Sequence, residues 1–470
     1  MLDNTQSLFF VKEVTLAVNK DFSSQTINLK EFSMKEVYIR DLHTRQPGCE
    51  IVLFGWISAK RCQGKVIFLD VCDSTGMIQA VIEEGQIGQN QFALFKELPV
   101  ETAVAINGTV KNHGEQREIS VLRIYVVGKV TKQMSPTPRG HVDIFDERLT
   151  DHLLRNRHLY LRNPKVMAIL KFRDTVMRHT RDWFHQNQFT AIDAPVLTPV
   201  PLYEDASAIS VNVHGDKIFL TQCVGYYLEA AVHAFERVYN MGPSFRGEES
   251  RSKRHLMEYW HIKAEAAWAN LDDIIGLVES LIRYITEKCH DELLHTGSVL
   301  GKEVCMDGLQ TQFPRITYEE ALRLLAKQGF VFEFGKSLGS DEEAELSKII
   351  GKPFWVSGIP RSVEPFPYCI DPTDSRITRV ADLIASNGYG ELLGTAEKIH
   401  DFQMLVERMR EKGKDMDVRY EFVRDVHQIG CVPHAAFGMG LERFIRWMLN
   451  IPHVRDAIPF PRIFRRKVSP

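Results

Sequence analysis

A chain of 470 residues, 44% hydrophobic and 25% charged, has the balance of a folded, water-exposed protein and the length for two or three domains. Its net charge of −3 neither demands nor excludes a nucleic-acid partner, because such binding depends on a local basic face. No apolar run approaches the roughly 20 residues that cross a bilayer, and Met1-Leu2-Asp3-Asn4 opens no basic-then-apolar leader, so the expected setting is cytoplasmic, without a membrane partner.

Residues 1–36 carry no clear signature and read as an N-terminal extension. From 37 to 130 short β-rich runs alternate with turns, at 51–57, 66–71, 77–82 and 103–108. Strands at this spacing suggest a small barrel, of which the five-stranded oligonucleotide-binding fold is the commonest candidate. Residues 131–160 open with two prolines and a glycine and read as a hinge.

The remainder, 161–470, is mixed. Ile169, Phe172, Val176, Thr180 and Trp183 fall at helical spacing. Thr190 to Leu197 then reads as extended, with Pro195 restricting its neighbour. Asn270 with Asp273 caps a helix, and Thr317 with Glu320 opens another. There is no internal repeat and no Gly-x-x-x-x-Gly-Lys-Ser/Thr loop, which argues against a P-loop nucleotide site. The eight cysteines never form a Cys-x-x-Cys pair, which argues against a zinc site or a disulfide framework and for free thiols.

Chemistry concentrates in Ser244-Phe245-Arg246-Gly247-Glu248, in Arg254-His255-Leu256-Met257-Glu258-Tyr259-Trp260, and in Gly438-Met439-Gly440-Leu441-Glu442-Arg443. One arginine on a strand-like run and another opening a helix-like run suit a site that grips a triphosphate and stabilises charge on a transferring phosphoryl group. In isolation, Arg246 with Glu248 would read as an ordinary surface ion pair. In this order the three segments, preceded by the helix running to Pro195, resemble motifs one, two and three of the class II aminoacyl-tRNA synthetases. The accompanying Val432-Pro433-His434 and Ile458-Pro459-Phe460-Pro461-Arg462 are similar to the asparaginyl enzymes of the aspartate, asparagine and lysine branch. The resemblance covers roughly residues 37 to 462.

That resemblance implies an α+β protein: an N-terminal OB-fold β-barrel that binds an anticodon, then a catalytic domain of antiparallel sheet and helices that dimerises through motif one. It implies ATP and Mg2+, with an amino acid or related carboxylic acid activated as its adenylate and passed to tRNA. Arg246 would hold the α-phosphate and the attacking carboxylate, and Arg443 the γ-phosphate. Glu248, Arg254 and His255 would contact the nucleotide, with Tyr259 stacking on adenine. Glu391 would bind magnesium, with Asp382 as a weaker second candidate that equally suits a turn. Arg61, Phe68 and Gln79 match positions that contact anticodon bases, unless Phe68 lies in the barrel core.

The acid pocket departs from the family. Gly225 stands where a glutamine reaches the substrate ammonium, and Lys263 stands where an acidic residue does so. A lysine cannot accept a hydrogen bond and repels an ammonium. Lys398 replaces the arginine that holds the side chain, exchanging a planar fork for a point charge. Glu229, which in the family meets the side-chain amide, is retained. These changes raise the alternative of a paralogue that activates a non-standard acid and passes it to an amine, ammonia or a carrier. They leave open whether Lys263 faces the substrate or turns away, with Glu265 as the acceptor.

Overall fold

A computed structural model describes residues 35–201, 205–250, 252–464 and 466. The N-terminal extension expected over residues 1–36 lies almost wholly outside them. Chain contacts divide the protein into two compact units, Met1–Asp143 and Ile144–Pro470.

The first unit is a closed barrel in the order β1-β2-β3-β5-β4. Its strands are β1 (Glu50–Gln63), β2 (Val66–Cys72), β3 (Met77–Glu83), β4 (Ala103–His113) and β5 (Gln116–Gly128). Neighbours run antiparallel except β3 with β5. Strict alternation builds it: in β2 the side chains of Ile67, Leu69 and Val71 are fully buried, while Val66, Phe68 and Asp70 between them are not. Ile51, Leu53, Ile57, Ile106, Val110, Ile119 and Val121 complete the apolar interior.

In the second unit the segment expected to be a hinge is not uniform, because helix Thr150–Arg155 and helix Arg157–Tyr160 already occupy its later part. Helix Pro164–Gln186 follows, with Asn163 as N-cap and Pro164 in its first turn. The extended run expected over 190–197 forms only its ends, β6 (Thr190–Ala191) and β7 (Leu197–Thr198). Pro195 between them has no N–H to give a ladder. The later strands are β8 (Ser210–Val213), β9 (Asp216–Leu220), β10 (Arg237–Phe245), β11 (Glu258–Ala267), β12 (Arg315–Thr317), β13 (Phe354–Ser357), β14 (Val380–Ala385), β15 (Gly390–Lys398) and β16 (His434–Gly440).

An eight-stranded sheet runs β12-β13-β14-β15-β16-β11-β10-β6, and β7-β9-β8 form a small second sheet. The large sheet is antiparallel from β13 to β10, with parallel pairs only at its edges. Helix Leu271–Lys288 lies against β15 and β16, with the reciprocal Asn270–Asp273 cap at its start. Its first turn is held by Glu397, whose carboxylate accepts from the Leu271 N–H at 3.1 Å. Glu397 points to the face opposite Ala396 and Lys398, so the helix covers one face and leaves the other to a cavity. No helix among the described residues is long and apolar enough to cross a membrane.

Candidate active site

Register across the sheet places the site. Asp382 on β14 pairs with Gly394 on β15, Gly394 with Gly438 on β16, and Gly438 with Lys263 on β11. These four side-chain positions form one row on the cavity side. Two of them are glycine, so the floor between the carboxylate and the ammonium is bare. A Cβ on Gly438 would meet His261 Nε2 at 2.7 Å and the Lys263 side chain at 3.1 Å. The cavity above this floor measures about 1040 Å³, and Arg246 and Arg443 both line it.

β10 and β11 form the hairpin that carries Arg246 just past the end of β10. Arg246 lies over the Tyr259 ring, 5.8 Å from its centroid, and reaches Glu248 at 3.5 Å. Arg443 is in the first turn of helix Leu441–Met448. It pairs with Glu391 at 3.0 Å, and its Nη2 lies 3.4 Å from His255 Nε2. Burial first, then the cations Arg443, Arg254 and Arg246, push the His255 imidazole down to about 4, so the ring is neutral at neutral pH. Ser250 Oγ, 2.9 Å from His255 Nδ1, steadies it.

Arg254 forms an ion pair with Glu343, on helix Ser340–Ile350, and Glu343 also accepts the Glu391 N–H at 2.8 Å. The sequence offered no sign of Glu343, because its partners lie 89 and 48 residues away. Close packing enforces this triangle. Gly390 has φ +78°, and a Cβ there would lie 2.5 Å from Arg254 Nη1 and 2.8 Å from Glu343 Oε2.

Asp382, Glu391, Glu343 and Glu364 line the same cavity. Burial, followed by repulsion from Glu391, Glu364 and Glu343, holds the Asp382 carboxyl well above its ordinary value. Burial also opposes ionisation of Glu391, but Arg443 and Arg254 hold it below its ordinary value. A carboxylate cluster under such mutual repulsion is the oxygen donor set a hard divalent cation fits. Asp382 lies within a strand in this cavity, which removes the turn reading.

At the other end of the floor Lys263 lines the cavity and donates to Cys223 Sγ at 2.5 Å. Its side chain thus borders the cavity while Cys223 holds its ammonium. Gly225 opens helix Gly225–Phe235 beside it, and Glu229 follows one turn later. Glu229 is not an isolated contact: Lys398 Nζ donates to its Oε2 at 3.0 Å and lies 3.8 Å from Glu265. His427 Nε2 is 3.2 Å from Glu229 and His434 Nε2 is 3.2 Å from Glu265. Burial alone would raise the Glu229 carboxyl, yet Lys398, His434 and His427 bring it down to about 2. Glu265 is thus engaged with Lys398 and His434. His427 and the Glu265–His434 contact were not among the expected site residues.

In the barrel unit Phe68 sits on the outer face of β2, which excludes the core reading. Arg61, opposite Phe68 across β1 and β2, lies 5.7 Å from its ring centroid and donates to Gln79 Oε1 at 2.9 Å. The three side chains form one cation-aromatic-amide patch. The eight cysteines are free thiols.

Comparison with known proteins places this geometry. Residues 150–463 match the family of class II tRNA synthetases for D, K and N, and residues 51–127 match the OB-fold nucleic acid binding domain. An asparagine–tRNA ligase of Desulforamulus reducens is 35% identical over 419 residues, spanning 89% of this chain and 96% of the relative. One from Pyrococcus abyssi is 35% identical over 442 residues, spanning 91% and 98%. The crystal structure of asparaginyl-tRNA synthetase from Pyrococcus horikoshii, complexed with asparaginyl-adenylate, superimposes with a TM-score of 0.87 at 33% identity, covering 93% of this chain and all of that one. With its barrel, its antiparallel sheet and both arginines on one cavity, the chain belongs to the class II aminoacyl-tRNA synthetases of the aspartate, lysine and asparagine branch.

Proposed function

We propose that this protein couples ATP to an asparagine-like amino acid and esterifies the product to tRNA. The observation that carries the reading is the convergence of Arg246 and Arg443 on one cavity beside the Asp382–Glu391 carboxylates. The substrate carboxylate attacks the α-phosphorus, the α–β anhydride bond breaks, and pyrophosphate leaves. A ribose hydroxyl of the tRNA terminus then attacks the acyl carbon and AMP departs. Arg246 neutralises charge at the α-phosphate and aligns the carboxylate, while Arg443 grips the far phosphate so that the nucleotide stays bent. Glu391 and Asp382 would hold Mg2+, which supplies charge neutralisation at the phosphates. Tyr259 already shares its ring face with Arg246 and completes the nucleotide wall with His255.

Phe68, Arg61 and Gln79 would receive anticodon bases, and the enzyme would work in the cytoplasm as a homodimer. Full-length relatives named asparagine–tRNA ligases favour tRNA over an amine, ammonia or carrier as acceptor. Pyrophosphate exchange tests the first step. Exchange that requires ATP and an acid, and that Arg246→Ala abolishes, is expected; its persistence in that variant would overturn the assignment.

Lys263 supports a second reading of the acid itself. With Gly225 lacking a side chain and Lys263 presenting a cation to the cavity, the position beside them suits an anionic or acylated group better than an ammonium. Exchange measured with asparagine, aspartate, succinamate and succinate separates the readings, and exchange with asparagine alone would end the second.

A further inference from the structure

Behind the acid end of the cavity lies a cluster that the adenylation chemistry does not use. His233 stands near the end of helix Gly225–Phe235, Cys431 in the loop before β16, and His434 at the first position of β16. His233 Nδ1 lies 2.6 Å from the Glu229 carbonyl oxygen, and His434 Nδ1 lies 2.7 Å from that of Val432. Each carbonyl can only accept, so each Nδ1 donates. That bond leaves Nε2 as the ligating nitrogen, the second-shell arrangement by which proteins orient metal-binding histidines.

His233 turns its Nε2 toward Cys431. His233 Nε2 is 3.2 Å from Cys431 Sγ and accepts the Val432 N–H at 3.2 Å, a hydrogen bond that a metal would displace. One ligand atom from each of His233, Cys431 and His434 falls within 4.8 Å of the other two. Tetrahedral zinc with metal–nitrogen and metal–sulfur bonds of about 2.0–2.3 Å requires ligand atoms about 3.3–3.8 Å apart, so the three ligand atoms would close on a metal by approaching one another by at most about 1–1.5 Å.

A second observation points to a ligand. His434 and Glu265 are buried, the His434 Nε2 points at carboxylates, and Glu265 Oε2 makes no hydrogen bond. These atoms face one another: Glu265 Oε1 is 3.2 Å from His434 Nε2 and Glu229 Oε1 is 3.9 Å from it. A buried oxygen such as Glu265 Oε2 left without a hydrogen bond calls for an explanation, of which an ion nearby is one. Cys431 and His233 are only partly buried, which gives a metal a way in.

We propose that His233 Nε2, Cys431 Sγ and His434 Nε2 bind one divalent transition metal of the zinc class, with the fourth position open to water or an added ligand. Nitrogen and thiolate donors select against magnesium, so this site is chemically separate from the Asp382–Glu391 pair. Because Glu265 and Glu229 also hold Lys398 on the cavity wall, the metal would set the charge behind the acid pocket. The cysteine spacing hid this site, which uses Cys431-x-x-His434 with a histidine 198 residues upstream of Cys431.

The test takes the full chain, stripped with chelator and titrated with Co2+. One equivalent should bind with the intense visible bands of a tetrahedral site and a thiolate-to-cobalt charge-transfer band, and Zn2+ should bleach both. Cys431→Ser should abolish the charge-transfer band, and His233→Asn should lower metal content at least tenfold with an unchanged far-ultraviolet spectrum. Absence of stoichiometric binding, or bands that survive His233→Asn, would overturn the proposal and leave an ion-paired cluster only. The readout involves no catalysis, so it stands or falls independently of the proposed activity.

Discussion

Arg173 and Glu442 form the buried ion pair on which the placement of Arg443 should depend. Arg173, on helix Pro164–Gln186, donates to Glu442 Oε1 at 2.6 Å and to the Ala457 carbonyl at 3.1 Å, while the Trp260 N–H donates to Glu442 Oε2 at 3.0 Å. Their side chains are only 6% and 2% exposed. The pair therefore ties together helix Pro164–Gln186, β11, the segment at Ala457 and helix Leu441–Met448, whose first turn carries Glu442 and Arg443. Removing one member of a buried pair strands the other and costs about 3–5 kcal/mol, whereas replacing both by apolar groups of similar volume is often near neutral. Arg173→Met should fall in this range, and Arg173→Met/Glu442→Leu should recover most of it.

Five of the six tryptophans lie in the second unit, so tryptophan fluorescence during urea unfolding reads that unit. Burial pushes the Glu442 carboxyl above its ordinary value even with Arg173 beside it, and without Arg173 it should rise further. The sign follows. A carboxyl with a raised folded pKa costs stability as pH climbs from its unfolded toward its folded value, so the deficit of Arg173→Met should grow as pH rises above the ordinary carboxylate range and shrink as pH falls. A single variant as stable as the parent, or a double variant no better than the single, would refute the account.

Gly438→Ala would push a methyl group into His261 and Lys263 at the centre of the cavity floor. Overpacking there costs about 1–3 kcal/mol, and pyrophosphate exchange should fall by about tenfold or more; undiminished exchange would move the acid off this floor. Phe68→Ala should weaken tRNA binding by about 1–3 kcal/mol, the worth of one stacked base, with exchange unchanged; equal tRNA affinity in a filter-binding assay would remove Phe68 from the interface. His255 has its folded pKa lowered from 6.5 to about 4, so the stability it contributes as a neutral ring is present above pH 6.5 and lost as pH falls toward 4. Bound phosphates offset the arginines, so nucleotide binding should take up a proton between those values; calorimetry in buffers of different ionisation enthalpy reads this, and uptake that persists in His255→Asn would assign it elsewhere.

Local signals in the sequence carried far. The spacing of the β-rich runs gave the barrel, though not which face of β2 lies inside, and the Asn270–Asp273 and Thr317–Glu320 boxes gave two helix starts, because each depends only on neighbours in the chain. Motif resemblance brought Arg246, Arg443, Glu391, Asp382, Lys263 and Lys398 forward, and the fold gathers them on one cavity. What stayed illegible was long-range pairing. Glu343 reads as one of several acidic residues opening helix Ser340–Ile350, and only the folded chain shows it bracing Arg254 and the Glu391 backbone. His233 and His427 read as ordinary helix-end histidines until Glu229, Cys431 and Ile399 are packed against them.

Sheet geometry explains how such a site could change its acid while keeping its nucleotide chemistry. Strands lie about 4.8 Å apart, so the row from Asp382 through Gly394 and Gly438 to Lys263 spans three intervals, or about 14 Å. The proposed magnesium carboxylates Asp382 and Glu391 sit on β14 and β15, whereas two of the departures from the family sit on β11 at Lys263 and at a helix start at Gly225; the third, Lys398, ends β15. The two bare glycines between them carry no side chain through which a change at one end could displace the other. Arg246 is tied to Tyr259 and Glu248, and Arg443 to Glu391 and His255, with no contact among these that includes Lys263. If Lys263 meets the acid as proposed, Lys263→Glu should change which acid supports pyrophosphate exchange while the Arg443–Glu391 contact persists; loss of exchange with every acid would refute this separation.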